Sequence, residues 1–197
     1  MEHFYENIAG WFDFQEVYSK AVRLALRGAH FVEIGAWMGK STAFMAVEIA
    51  NSGKNIKFDV VDHWKGSAEH ASVPSVVNNT LFEEFLYHTA PVSTFIHPIR
   101  LSSVEAAKLY TPGSLDFVYI DGSHDYASVV TDLKSWLPLV RLGGTIGGHD
   151  FGCPAVGQAV HDVIREFPTI VGNSWIHEKK NCALDNPHTS ACQILLL

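Results

Sequence analysis

Five side chains of this 197-residue chain stand where they could do proton or metal chemistry. Asp62 closes the apolar run "IKFDVVD", Asp121 closes "LDFVYID", His124 follows three residues later in "DGSHDY", and His149 with Asp150 closes "TIGGHD". If the runs are parallel strands, Asp121 and the His149-Asp150 pair become neighbours at one edge of the sheet. Two carboxylates brought that close repel unless a proton or a divalent cation relieves them. Oxygen donors completed by water favour Mg²⁺, and an added imidazole admits Mn²⁺. Asp121, His149 and Asp150 are therefore candidate metal ligands. His124 is the candidate general base, because imidazole titrates near neutral pH, with Asp121 and Asp150 as its catalytic partners. The metal-free alternative has Asp121 accepting loop amides and His149 packing beside a ligand. Gly147 and Gly148 are expected to keep side chains clear where a ligand approaches the strand end.

Those residues need a scaffold, and the hydrophobic pattern supplies one. Helical spacing runs over 13–28 and stops near Gly28, and "HFVEIG" at 30–35 reads as a short buried strand. A glycine turn then leads into a helix opening at Ser41-Thr42 and ending near Gly53. A strand over 56–62, a loop over 63–78 and a helix over 79–89 follow, with Pro98 marking "TFIHPIR" as a short or peripheral strand. Ser102-x-x-Glu105 has the form of a capping box, and the next helix breaks at Thr111-Pro112-Gly113. After the strand 115–121, Asp125 can cap a helix carrying Val129, Val130, Leu133 and Leu137, while Asp132 reads as a solvated position or a contact to the next loop. "RLGG" then turns into the strand "TIGG". Pro154 opens a helix whose apolar face runs to Phe167, and "TIVGNSWIHEK" has the form of a hairpin at the sheet edge. Alternating short strands and helices make an α/β fold with a largely parallel sheet covered on both faces. Ligands in such sheets bind beyond the carboxyl ends of the strands.

Composition excludes several classes of function. With 14 basic against 21 acidic side chains the formal charge is −7, and no basic run extends beyond Lys179-Lys180, which argues against a nucleic-acid or anionic-membrane surface. No apolar run nears the roughly 18 residues of a membrane span, and Glu2 and Glu6 stand where a signal peptide would be basic, so a cytoplasmic protein is expected. The three cysteines have neither disulfide-framework nor zinc spacing. One domain over 1–197 is expected, with an N-terminal helical cap at 1–28, a core at 29–178, and a tail or edge strand at 179–197.

The turn "EIGAWMGKST" has a Gly35-x-x-x-Gly39 spacing rather than the Gly-x-Gly-x-x-Gly of a dinucleotide fold, and its glycines and following helix offer backbone amides to a ligand. Asp62, ending the next strand, is placed to accept ribose hydroxyls. Taken in order, "FVEIGAWMGKST", "VVDHWKGS", "LDFVYIDGSHDY", "DLKSWLPLVRLGGTIGGHD" and "AVGQAV" resemble a class I S-adenosylmethionine-dependent methyltransferase. More narrowly, they resemble the branch containing metal-dependent sugar O-methyltransferases. The resemblance implies a Rossmann-like three-layer αβα sandwich with a seven-stranded, mostly parallel sheet of order 3-2-1-4-5-7-6 and an antiparallel last strand. It further implies that Glu33, Gly35, Ala36, Gly39 and Ser41 surround the methionine part of S-adenosylmethionine. Asp62 would hold the ribose with His63 and Trp64 beside it, Ser102 and Ser103 would lie near the adenine, and Asp121 would also border the cofactor. Trp64 either covers the adenine or packs beneath its loop. In the resembling enzymes the metal ligands are an acid ending the fourth strand and an adjacent pair ending the fifth; His149 departs from the acidic or amide residue often found there, and Ser123 from an acid in "DGDH".

Aromatic residues in 1–20, in 63–78 and after Asp150 suit either a sugar face or a phenol. The resemblance favours a small-molecule carbohydrate acceptor. The alternatives are a catecholic or other phenolic acceptor, an NAD-dependent oxidoreductase, and a cofactor-binding module whose chemistry has decayed. A homodimer would cover the edge strand and the N-terminal helix.

Overall fold

The computed structural model describes residues 1–67 and 70–180; the expected tail beyond 180 lies outside them. In chain order the elements are α1 (Gln15–Leu24), β1 (His30–Ile34), α2 (Lys40–Ser52), β2 (Lys57–Asp62), α3 (Pro74–Val77), α4 (Leu81–Thr89), β3 (His97–Arg100), α5 (Ser103–Ala107), β4 (Leu115–Ile120), α6 (Tyr126–Trp136), β5 (Val140–Gly148), α7 (Pro154–Ile164), β6 (Thr169–Val171) and β7 (Ser174–Glu178). The strands form one seven-stranded sheet in the order β3-β2-β1-β4-β5-β7-β6. The first five pair in parallel, and β7 runs antiparallel to both β5 and β6.

Strand alternation divides the core between the two faces. Val32, Ile34, Val118 and Ile120 meet Val129, Leu133 and Trp136 of α6 and Val156, Val160 and Ile164 of α7. On the opposite face Phe31, Phe58, Phe117 and Tyr119 meet Tyr18 of α1, Met45 of α2 and Phe85 of α4. Each such buried side chain contributes about 1.5–3 kcal/mol relative to an exposed one. The helix stripes and the strand alternation are thus one arrangement seen from two sides.

The capping signals hold locally. Asp125 accepts the Ser128 amide at 3.0 Å, and Ser102 accepts the Glu105 amide at 3.4 Å while its hydroxyl donates to the Glu105 carboxylate at 2.6 Å. Several boundaries differ from the sequence expectation. α1 stops at Leu24 because Ala25 turns to an extended conformation. α7 stops at Ile164 because Arg165 is left-handed, which leaves Phe167 85% exposed instead of on the helix face. "RLGG" lies within β5, beside a register shift against β4. The loop 63–78 carries the short helix α3, and Pro98 sits on the edge strand β3. No helix among the described residues is long and apolar enough to cross a membrane.

Candidate active site

The strand ends are locked one residue beyond the sheet. Gly35 donates its amide to the Val61 carbonyl at 2.9 Å, Asp121 to Ile34 at 2.7 Å, and His149 to Ile120 at 3.1 Å. Those bonds fix where Asp121, His149 and Asp150 project. They open onto a cleft of about 1020 Å³ lined by the β1–α2 turn, the ends of β2, β4 and β5, the start of α5, one side of α6, and residues 10–13.

The β1–α2 turn is held from below. Asp62 Oδ2 accepts the amides of Ala36 at 2.9 Å and Trp37 at 3.1 Å, and its Oδ1 accepts the Trp64 amide at 2.7 Å. Three of the roughly four acceptor positions of a carboxylate are thereby used, so Asp62 has about one left for a ligand, where the sequence suggested both oxygens were available. Trp37 adopts φ +50, an unfavourable left-handed conformation for a large residue. Asp62 and the Trp64 indole, which donates to the Trp37 carbonyl at 3.0 Å, offset that strain. Trp64 itself is 1% exposed, packed on Phe82 and Phe85; of the two readings, packing beneath the loop is the one observed. Gly35 lines the cleft because a Cβ there would stand 2.0 Å from the Asp121 carbonyl oxygen. Gly39 lies outside the lining, and its absent Cβ makes room for Thr89 and Phe85.

Asp121, His124 and Asp150 each bring one ligand atom within 4.8 Å of the others. His124 Nε2 is 2.9 Å from Asp150 Oδ2. Asp150 has φ +55, a strained position for a non-glycine residue that also turns its carboxylate to accept from the Asn173 amide at 3.1 Å. Burial raises the Asp121 carboxyl to about 6, helped by the Asp150 charge and opposed by His149 and His124. His149 lies between this cluster and residues 10–13: its Nε2 meets Asp13 at 2.6 Å, and its Nδ1 faces Asp150 at 3.1 Å and Asp121 at 3.9 Å. Burial lowers the basicity of His149, but these three carboxylates outweigh it and raise its pKa. The compact donor set thus brings His124 to Asp121 and Asp150, with the expected ligand His149 beside it.

Other expected site residues divide. Ala36, Ser41, His63, Ser102 and Ser103 line the cleft. Glu33 does not: it alternates onto the α1 and α2 face, 1% exposed, accepting from the Tyr18 hydroxyl at 2.8 Å and from the Thr42 hydroxyl. Burial raises its carboxyl to about 7 against the hydroxyl bonds that lower it. Gly147 and Gly148 make room for the protein itself, since a Cβ would collide with Ile176 and the Trp175 carbonyl at one and with the Ile120 carbonyl and Trp175 indole at the other. Sequence reasoning missed Asp13 and the row Trp37–His70–Trp11, whose neighbouring ring centroids lie 4.2 and 6.4 Å apart. Of the two readings of Asp132, a solvated position or a contact to the next loop, the first does not hold, because Asp132 is 7% exposed on the cleft wall. Among the described residues the lining carries five aspartates and a single lysine, Lys40, so its charge suits a cationic ligand.

A sheet of this order, with a ligand cleft at its carboxyl edge and an acid ending β2, defines a class I S-adenosylmethionine-dependent methyltransferase fold. The chain belongs to a methyltransferase-domain family, Methyltransf_24, whose model matches residues 32–151. Among solved structures it is similar to the O-methyltransferase NovP, at 19% identity and a TM-score of 0.59 over 84% of this chain and 79% of that one. It is also similar to the methyltransferase MycE of the mycinamycin biosynthetic pathway, solved with Mg, SAH and mycinamycin VI, at 16% identity and a TM-score of 0.58 over 87% of this chain and 50% of that one. A curated relative, the uncharacterized protein y4gI of Sinorhizobium fredii (strain NBRC 101917 / NGR234), is 26% identical over 126 residues. That match covers 64% of this chain and 13% of the length of the relative.

Proposed function

We propose that this chain transfers the methyl group of S-adenosylmethionine to a hydroxyl of a sugar or glycoside. The observation that carries the reading is the Asp121, His124 and Asp150 cluster at the edge of a cleft of about 1020 Å³. Pockets for one small ligand occupy roughly 300–1000 Å³, so this volume supports a cofactor and an acceptor side by side. The excess of aspartates suits a sulfonium, and the β1–α2 turn with Asp62 is placed for the methionine and ribose parts.

The reaction is an in-line displacement: the acceptor oxygen attacks the methyl carbon, the carbon–sulfur bond breaks, and S-adenosylhomocysteine leaves neutral at sulfur. The protein must align the oxygen and remove its proton. His124, held by Asp150 at 2.9 Å, forms an imidazole–carboxylate pair suited to take that proton. The same donor set fits a divalent cation, with Asp121, His124 and Asp150 as the residues that would hold it. Such a cation would supply positive charge that lowers the pKa of an acceptor hydroxyl. The two uses exclude each other at His124, because a ligating imidazole nitrogen has no lone pair for a proton.

The test is transfer of labelled methyl from S-adenosylmethionine over a panel of glycosides and phenols, with Mn²⁺, with Mg²⁺, and with a chelator. Label on glycosides is expected. Loss of turnover on chelation shows that a cation takes part, and turnover unchanged by the chelator supports proton transfer by His124 without one. The Trp37–His70–Trp11 row would equally stack a planar ring, so label confined to phenols would establish the phenolic reading instead. No transfer, together with no heat of S-adenosylmethionine binding in calorimetry, would overturn the proposal.

A further inference from the structure

We propose that Asp13 is a positioning residue of the reaction centre: it orients His149, and through His149 it fixes the Asp150 carboxylate that faces His124. This rests on the reading of the Asp121, His124 and Asp150 cluster as that centre. Asp13 belongs to the segment before α1 and lies 136 residues from His149 in sequence. Its Oδ1 stands 2.6 Å from His149 Nε2. A carboxylate only accepts, so Nε2 carries the proton of that bond and Nδ1 is the nitrogen turned inward. Nδ1 lies 3.1 Å from Asp150 Oδ2 and 3.9 Å from Asp121 Oδ1. His124 Nε2 reaches the same Asp150 oxygen at 2.9 Å, while Asn173 donates to Asp150 Oδ1 at 3.1 Å. Asp13, His149, Asp150 and His124 therefore form one continuous row from the segment 10–13 to the candidate base.

Packed neighbours hold both ends of that row. Phe14, the residue after Asp13, is 3% exposed and stacks on Tyr119 of β4 with ring centroids 4.6 Å apart. Its ring also lies 5.1 Å from the His149 imidazole. Gly10 packs on the β1–α2 turn so closely that a Cβ there would stand 3.2 Å from Trp37. The segment 10–13 is thus seated from both sides, and Asp13 reaches His149 from a fixed backbone. The χ2 torsion of histidine has a broad, roughly two-fold profile, so ring packing alone does not choose which edge of His149 faces Asp150. An acceptor at Nε2 makes that choice, as carboxylates do behind the histidines of many metal sites. Asp13 does this from the surface, with a side chain 66% exposed beside an imidazole only 14% exposed.

Steady-state methyl transfer by the full chain tests the assignment. Loss of the acceptor behind a metal-site imidazole costs about 10–100-fold, so Asp13→Ala should lower kcat by about tenfold. Asp13→Asn keeps an oxygen that can accept from Nε2 and should recover part of the loss. Trp11→Ala, in the same segment but remote from His149, should change the acceptor KM and leave kcat alone. If Asp13 acts through His149, the double variant Asp13→Ala/His149→Ala should lose no more kcat than His149→Ala. An unchanged kcat in Asp13→Ala, a loss confined to the acceptor KM, or a double variant that loses the product of the two single losses overturns the assignment. The bond is also read without turnover, from the imidazole N–H signals of the ¹⁵N-labelled protein. A His149 Nε2–H signal slow to exchange with solvent is expected in the wild type and in Trp11→Ala, and is lost in Asp13→Ala. Its absence from the wild type, or its persistence in Asp13→Ala, overturns the assignment even for a protein that transfers no methyl. A wild type with that signal and no transfer sinks the reading of the cluster as the reaction centre instead.

Discussion

Replacing Gly35 by alanine should cost far more stability than its place in a surface turn suggests. A Cβ at Gly35 would stand 2.0 Å from the Asp121 carbonyl oxygen, 2.6 Å from its carbonyl carbon and 3.0 Å from Gly122 Cα. All three are backbone atoms, so no side-chain rotation relieves the collision, and the ends of β1 and β4 must separate. The residue also has φ +88, for which a left-handed L-residue costs about 1–2 kcal/mol. Forcing extra volume into a packed site adds about 1–3 kcal/mol. The sum is about 2–5 kcal/mol, which in a chain of 150–250 residues lowers Tm by about 2–4 °C per kcal/mol, or about 4–20 °C in all. Gly53 provides the control: it is also left-handed, at φ +62, but a Cβ there meets nothing within 4 Å, so Gly53→Ala should lose only about 2–8 °C. Circular-dichroism melts of the two variants measure the difference, and calorimetry with Mn²⁺ and S-adenosylhomocysteine reports the displacement of Asp121. Equal Tm losses in the two variants would refute the claim that the Asp121 backbone is what Gly35 accommodates.

Asp13→Asn weakens the bond that ties residues 10–13 to His149; because Asp13 is 66% exposed, the stability cost should stay within about 1 kcal/mol, while limited proteolysis before Phe14 speeds up. Unchanged cleavage would show that Asp13 does not hold that segment. Trp11 is 80% exposed at the cleft mouth, so Trp11→Ala should change stability by no more than about 0.5 kcal/mol while raising the acceptor KM severalfold; a melting change without a KM change would contradict a stacking role. On the other side of the molecule, burial tends to raise the Asp59 carboxyl, but hydrogen bonds from His30, Tyr110 and His97 and the His30 charge bring it from the ordinary 3.8 down to about 2. A depressed folded-state pKa means this stability is present above about pH 4 and lost as pH falls toward 2, an effect of about 2 kcal/mol. Asp59→Asn should flatten the acid limb of a Tm-against-pH profile in that window, and an unchanged limb would exclude Asp59 as its source.

The class of fold was legible because short buried strands and amphipathic helices carry different periods. Asp62, Asp121, His149 and Asp150 could be assigned to strand ends because each follows an apolar run directly. Asp125 and Pro154 marked helix starts for equally local reasons, a side-chain oxygen reaching an amide three residues on and a missing amide where none is required. What local pattern could not decide was direction and company. Strand alternation sends Glu33 away from the cleft toward Tyr18 and Thr42, and that face becomes visible only once α1 and α2 are packed there. Gly147 and Gly148 look like clearance for a ligand until β7 brings Trp175 against them. Asp13 reaches His149 across 136 residues of sequence. Asp132, left open in the sequence between a solvated position and a contact to the next loop, is a buried cleft acid beside Ser103 of α5. Short-range backbone preferences and hydrophobic periodicity are written along the chain, so the sequence by itself determined the order of elements and the polar residues at their ends. Contacts between distant segments depend on how those elements stack, so only the tertiary structure decided that His124 joins Asp121 and Asp150 in the compact donor cluster and that Asp132 belongs to the cleft.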